Sequence, residues 1–338
     1  MSTVIVIVFL WLSILLYLVL GGADFGAGII ELFTSSKNRQ RTRKTLYYAI
    51  GPIWEANHMW LIIAIVILFV GFPYIYTTLT IYLHIPLTIM LLGIIARGTA
   101  FVFRHYDAIN DDMQYWYNRI YISSSFITPL FLGIIAGSSI SGHINPEATD
   151  FVTAYVLGWF NAFSICVGVF TVSLCGFLAS IYLIGEAGNK EDSIRFIAKA
   201  KRMNIVAVLC GTLVFIAAET DGVPLRQWVM KDNIGVSAIL LATISLFILW
   251  YAIQRAKTII IRALAGFQVA MILLVISYAH FPDFIILQNS SNLSLLHYQA
   301  PDKTMEALSW ALILGSIFIL PALFYLYYSF KKKISVVP

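Results

Sequence analysis

The chain has 338 residues, of which 60% are hydrophobic and only 12% charged. Soluble domains carry about 45–50% apolar and about 25% charged residues, so a soluble enzyme is excluded, as are disordered and fibrous chains. Long apolar runs in place of short alternating segments argue against a membrane β-barrel. The net charge of +5 fits basic cytoplasmic loops, and nucleic acid is not an expected partner. The expected fold is an all-α polytopic membrane protein, a single integral-membrane domain over residues 1–338.

One bilayer crossing takes about 20 apolar residues. Nine runs qualify, at roughly 4–33, 52–72, 76–103, 115–137, 153–184, 203–219, 235–254, 261–279 and 305–328. They divide as two four-helix bundles, in halves 1–138 and 152–279, plus a terminal helix over 305–328. No internal sequence repeat marks that division.

The first run is longer than one crossing needs. Near its inner end it reads Gly21-Gly22-Ala23-Asp24-Phe25-Gly26-Ala27-Gly28. Gly22 and Gly26 form a G-x-x-x-G, which lets a second helix approach closely and can bend the helix that carries it. The second run opens with Gly51-Pro52 and continues Trp54-Glu55-Ala56-Asn57-His58-Met59-Trp60. Proline suits a first helical turn. The third run holds His84 in its outer half and Arg97 near its inner end; the fourth repeats the glycine spacing at Gly133 and Gly137. Cys166, Cys175 and Cys210 lie inside apolar runs with no C-x-x-C spacing, as packing residues do. In the long loop before the last run, Phe284-Ile285-Ile286-Leu287 reads as a segment for the membrane surface or a partner.

Lysine and arginine set the orientation. Lys37, Arg39, Arg41, Arg43 and Lys44 follow the first run, and later loops on the same side carry most of the remaining basic residues, as does the C-terminus with Lys331, Lys332 and Lys333. The opposite side has Arg226, Lys231 and Lys303. The positive-inside rule then places the N-terminus outside and the C-terminus in the cytoplasm.

Ionisable residues at bilayer depth are functional candidates by default. Asp24, Glu55 and Arg97 all fall on the cytoplasmic half once alternate helices are drawn in opposite directions. Asp24 and Arg97 read either as a structural ion pair or as part of a proton-accepting site. Glu55 and His58, three residues apart, share a helix face; they read as a proton relay, with Glu55 pointing toward the interior, or as a favourable charge at a helix N-terminus. His58 and His84 fall at different depths and are not expected to clamp one haem iron. No spacing of metal ligands is found.

Three segments carry a family resemblance: 22–28, then 51–62 with its W-[DE]-x-N-x-x-W-L pattern, then Arg97-Gly98-Thr99-Ala100-Phe101-Val102-Phe103-Arg104. In these the chain resembles subunit II of the cytochrome bd-type quinol oxidases. The first segment departs from the commoner G-F-D-M-G-V-G form but keeps Asp24. The resemblance implies a respiratory quinol:oxygen oxidoreductase in a bacterial cell membrane. Its heterodimeric partner, subunit I, would carry haem b and haem d-type groups and oxidise quinol, while this chain would bind no cofactor and hold no directly catalytic residue. Glu55 then stands at the acidic position implicated in proton transfer, with Asp24 and His58 as companions and Arg97 as their charge partner. Trp60 stands at the tryptophan linked to oxygen access in some members. Membrane lipid, the quinone pool and a small accessory subunit complete the expected partners. Two other readings compatible with intramembrane acids are a secondary transporter and an inert scaffold subunit.

Overall fold

The computed structural model describes residues 1–51, 54–106, 113–230, 233–255 and 257–334. Pro52, Lys231 and Pro338 lie outside them. Nine helices among the described residues are long and apolar enough to cross a membrane.

The first crossing, Ser2–Leu32, is one continuous rod in three parts. Helix α1 (Ser2–Leu16) leads into a wide turn at Tyr17–Gly21, where the Gly22 amide bonds back to the Tyr17 carbonyl, and α2 (Gly22–Leu32) follows. The irregularity therefore ends at Gly21, the first residue of the glycine-rich stretch, and the rest of that stretch is regular α-helix. Next come α3 (Ser36–Ile50), a basic helix, and α4 (Trp54–Gly71), the second crossing. The run at 76–103 is not one helix. α5 (Pro73–Tyr82) starts on a proline and ends at Leu83, and α6 (His84–Tyr106) makes the crossing. α7 (Met113–Ser141) is the fourth crossing.

The run at 153–184 also divides. Asp150 caps the short α8 (Phe151–Tyr155) by accepting from the Thr153 amide at 2.8 Å. The crossing, α9 (Ala162–Gly185), starts only where the Asn161 side chain accepts from the Ser164 amide at 2.8 Å. Such caps satisfy amides that a helix start leaves free. α10 (Lys190–Thr220) begins more than three turns before its apolar run at 203–219, through a charged stretch, again on an asparagine cap, Asn189. α11 (Leu225–Met230), α12 (Asn233–Gln254), α13 (Thr258–His280) and α14 (Asp302–Ile334) complete the helices.

α9 is the central helix and packs against α2, α7, α10 and α13. Small residues make this possible. A methyl added at Gly26 of α2 would run into the Cys175 carbonyl of α9; one at Gly133 of α7 would come within 2.7 Å of the Gly168 Cα. Gly22 is looser, 3.4 Å from the Cys175 Sγ. The hydroxyls of this interface return their protons to their own helix, Thr171 to the Val167 carbonyl and Ser180 to that of Gly176, both at 2.8 Å. In hydrocarbon, polar groups must be satisfied in this internal way. α14 packs against α1 and α4 and turns large side chains outward, Phe318 at 76% and Phe324 at 74% exposure.

The loop after α13 is more ordered than its sequence suggests. β1 (Asp283–Ile285) pairs antiparallel with β2 (Leu293–Ser294). The Ile286 amide donates to the Ser139 carbonyl at 2.8 Å, and Ile285 is fully buried beside Ile144, Leu293 and Leu295. The 284–287 stretch thus covers this chain's own core. Phe284, Ile286 and Leu287 are half-buried around it.

Candidate functional site

The site is built on α2, α4, α6 and α7. Asp24 on α2 is 1% exposed, as is Arg97 on α6. The guanidinium grips the carboxylate from both sides, Nη1 to Oδ2 at 2.8 Å and Nη2 to Oδ1 at 2.6 Å. It also donates from Nη2 to the Asp24 carbonyl at 3.1 Å and from Nε to the Ser125 hydroxyl of α7 at 3.2 Å. Planar arginine suits such a bidentate grip. A charge buried without a partner would be prohibitive at this depth. Here each charge is neutralised and its donors are used.

A second pair lies on the same two helices. Glu31, fully buried, accepts from Arg104 Nη1 at 2.9 Å. Its other oxygen accepts from Arg43 of α3, from Nε at 2.8 Å and Nη2 at 2.6 Å. Tyr121 of α7 lies between the two rungs, its ring centroid 5.4 Å from the Arg97 guanidinium carbon and 4.2 Å from that of Arg104. Cations over an aromatic face are attracted to it. Glu31, Arg104, Arg43 and Tyr121 are all absent from the sequence-based candidates. The signal was a spacing: Glu31 follows Asp24 by seven residues and Arg104 follows Arg97 by seven, two helical turns on each rod.

His58 of α4 joins the first rung. Its Nε2 lies 3.7 Å from Asp24 Oδ2, and its ring is surrounded by Tyr17, Phe25 and Trp54 at centroid distances of 6.0, 5.6 and 6.3 Å. Trp60 is buried in an apolar cluster with Tyr17, Phe25, Ile29, Val172 and Cys175. Glu55 differs from its neighbours. It is exposed on the surface of this chain and makes no ion pair among the described residues. Its side chain therefore faces out of the fold, not toward this chain's interior, while His58 one turn on faces in. The structure unites Asp24, Arg97 and His58 around one point, sets Trp60 in the adjoining apolar wall, and leaves Glu55 at the rim. Gly26 seats α2 on α9; Gly22 makes only ordinary contact there.

Neither His58 nor His84 is placed as a haem ligand. His58 turns Nε2 to the Asp24 carboxylate, and its other nitrogen, Nδ1, is buried within the ring of aromatics. His84, at the start of α6, has Nδ1 2.8 Å from the Ile81 carbonyl and stands apart from this cluster. Among the described residues no three His, Cys, Asp or Glu side chains converge as metal ligands.

Nine apolar crossings among the described residues, packed around buried arginine–carboxylate pairs, define a multi-span helical membrane protein. The model of the family described as cytochrome bd terminal oxidase subunit II matches residues 2–330. The chain belongs to that family, and so is a subunit of a bd-type quinol oxidase, an oxidoreductase of the bacterial respiratory membrane whose complexes contain haem. It is 25% identical to the cytochrome bd ubiquinol oxidase subunit 2 of Bacillus subtilis, over 96% of each chain. It is likewise 25% identical to the cytochrome bd-I ubiquinol oxidase subunit 2 of Escherichia coli K12, over 63% of this chain and 58% of that one. The fold matches a chain of the bd oxidase from Geobacillus thermodenitrificans with a TM-score of 0.78, at 20% identity, covering 97% of this chain and 98% of that one. Family membership sets aside the secondary-transporter reading.

Proposed function

We propose that this chain docks on the haem-bearing subunit I and conducts cytoplasmic protons toward it, with Glu55 as the acid that takes them up. The exposure of Glu55 carries the reading. Asp24 and Glu31 engage their carboxylate oxygens with guanidinium groups, whereas Glu55 has no cation beside it among the described residues. A bare carboxylate facing outward at membrane depth is costly in lipid. Covered by a partner subunit, and wetted from the cytoplasmic edge, it becomes a proton-exchanging group on the seam between the two chains. His58, one turn further along α4, is the next titratable group, and Asp24 with Arg97 fixes the field around it.

The topology proposed with this reading puts α3 and the C-terminus in the cytoplasm and the N-terminus outside, in line with the basic residues. Haem b and haem d-type groups belong in this scheme to subunit I, where quinol is oxidised and dioxygen reduced. Membrane lipid, the quinone pool and a small accessory subunit stand around the pair. Oxygen access past Trp60 is the companion proposal, because an apolar wall of this kind suits an uncharged gas.

Glu55→Gln tests the relay. It keeps shape and hydrogen bonding and removes the titration. Expected are normal assembly, normal haem absorbance and a fall in oxygen-reduction turnover of about 100-fold, the lower end of what a positioned proton-transfer group contributes. Glu55→Asp should be much milder. Unchanged turnover of Glu55→Gln across the pH range would leave the scaffold reading in its place.

A further inference from the structure

Two buried polar atoms beside the first rung have no hydrogen-bond partner among the described residues, the Tyr17 hydroxyl and His58 Nδ1. Tyr17 is 3% exposed, so its hydroxyl is closed off from lipid and from any docked subunit. Buried polar groups in folded proteins are paired with protein or with ordered water.

The two side chains are neighbours. The Tyr17 and His58 rings stand 6.0 Å apart, and Phe25 closes the third side, 6.1 Å from Tyr17 and 5.6 Å from His58. Asp24 supplies the polar wall. The 3.7 Å between its Oδ2 and His58 Nε2 is longer than a direct hydrogen bond, and such gaps invite a bridging water. The wide turn at Tyr17–Gly21 places the phenol here. The Tyr17 ring lies across Gly21, where an added Cβ would stand 2.9 Å from it. Wide turns of this kind recur at functional sites.

We propose that Tyr17 and His58 bind an internal water, held by the Tyr17 hydroxyl and His58 Nδ1. With the Nε2 proton directed at the Asp24 carboxylate, Nδ1 accepts from the water, and the water accepts from the Tyr17 hydroxyl. His58 thereby gains a proton-exchange partner on the side away from Asp24. The use of this water in proton conduction rests on the relay reading of Glu55; the water site itself does not.

The test is a structure of the assembled oxidase at a resolution that shows ordered waters, paired with infrared difference spectra in H2(18)O. Expected is density within hydrogen-bond distance of both Tyr17 Oη and His58 Nδ1, and an isotope-sensitive O–H stretch. Both should be lost in Tyr17→Phe with the His58 ring in place. Direct protein partners for the two atoms, or a dry site in the unmodified complex, overturns the proposal without any variant. Persistence of the water in Tyr17→Phe overturns the role given to Tyr17. A hydrated site together with a silent Glu55→Gln keeps the water and removes the relay. A dry site with a slowed Glu55→Gln does the reverse.

Discussion

Glu31 is to Arg104 what Asp24 is to Arg97, one heptad further along the same two helices. The four residues form two rungs of a ladder between α2 and α6, with Tyr121 between the guanidinium groups. The Glu31–Arg104 rung has a second arginine, Arg43, whose side chain is 27% exposed. It ties the basic helix α3 to the end of the first crossing. Lys199 of α10 donates to the Ile30 carbonyl and Thr34 hydroxyl of the same end. Cations there complement the negative pole of α2.

Glu31→Gln is expected to cost about 3 kcal/mol or more, because it leaves Arg104 buried with its charge uncompensated. Arg43 is released at the same time. Thermal unfolding of the complex should show the loss, and amide hydrogen exchange should rise over 36–50 before it rises in α9. Unchanged exchange in α3 would mean that Arg43 does not hold it.

Removing one partner of the upper rung should be worse than removing both. Arg97→Met alone strands the Asp24 carboxylate, at about 3–5 kcal/mol, while Arg97→Met with Asp24→Leu exchanges the pair for apolar volume and recovers much of that. Yield of folded complex reads the order. A double variant no better than Arg97→Met would show that the pair is needed for something other than mutual neutralisation.

Gly26→Ala should destabilise at the upper end of about 1–3 kcal/mol, since a methyl there meets the backbone of α9 rather than a movable side chain. Gly315→Ala is the control. The nearest atom to its added Cβ is Ile319 Cδ1, at 4.0 Å, and the purified yield should not change.

His58→Ala is expected to leave every haem absorbance band of the assembled oxidase in place, because the ring is committed to Asp24 and its aromatic neighbours. Loss of a single band with assembly intact would reassign a haem ligand to this chain. A reporter fused after Pro338 should be active only in the cytoplasm, as the basic residues near that end require; activity outside would reverse the proposed topology.

The crossings were legible because hydrophobicity over some twenty residues is a property of local sequence. Their ends were less so, since Asn161 and Asn189 set them through single side-chain hydrogen bonds. Asp24, Arg97 and His58 could be nominated by their cost in a membrane. Their convergence depends on how α2, α4 and α6 turn about their axes, which is decided in three dimensions. Glu31 and Arg104 hid for another reason. Each stands at the edge of a hydrophobic run, where a charge passes for a loop residue, and only the paired seven-residue spacing separates them from one. Glu55 was correctly placed along the chain, but its exposed side chain faces the other way, because one turn of helix is enough to carry a side chain from the core to the rim.

The wide turn at Tyr17–Gly21 adds one residue to a rod that otherwise repeats every 3.6, a rotation of about 100° between what lies on either side. Upstream, Val6 and Leu10 are buried in the cluster that α4 and the β1–β2 hairpin share; downstream, Asp24 and Glu31 meet arginines of α6. Those two sets of contacts are in phase with each other only through the extra residue. Deleting one residue between 17 and 21 would give a more regular helix and a worse protein, in which either the packing at one end or the ion pairs at the other must be abandoned. The first crossing therefore works as a phase-shifted coupling between an apolar half and a charged half.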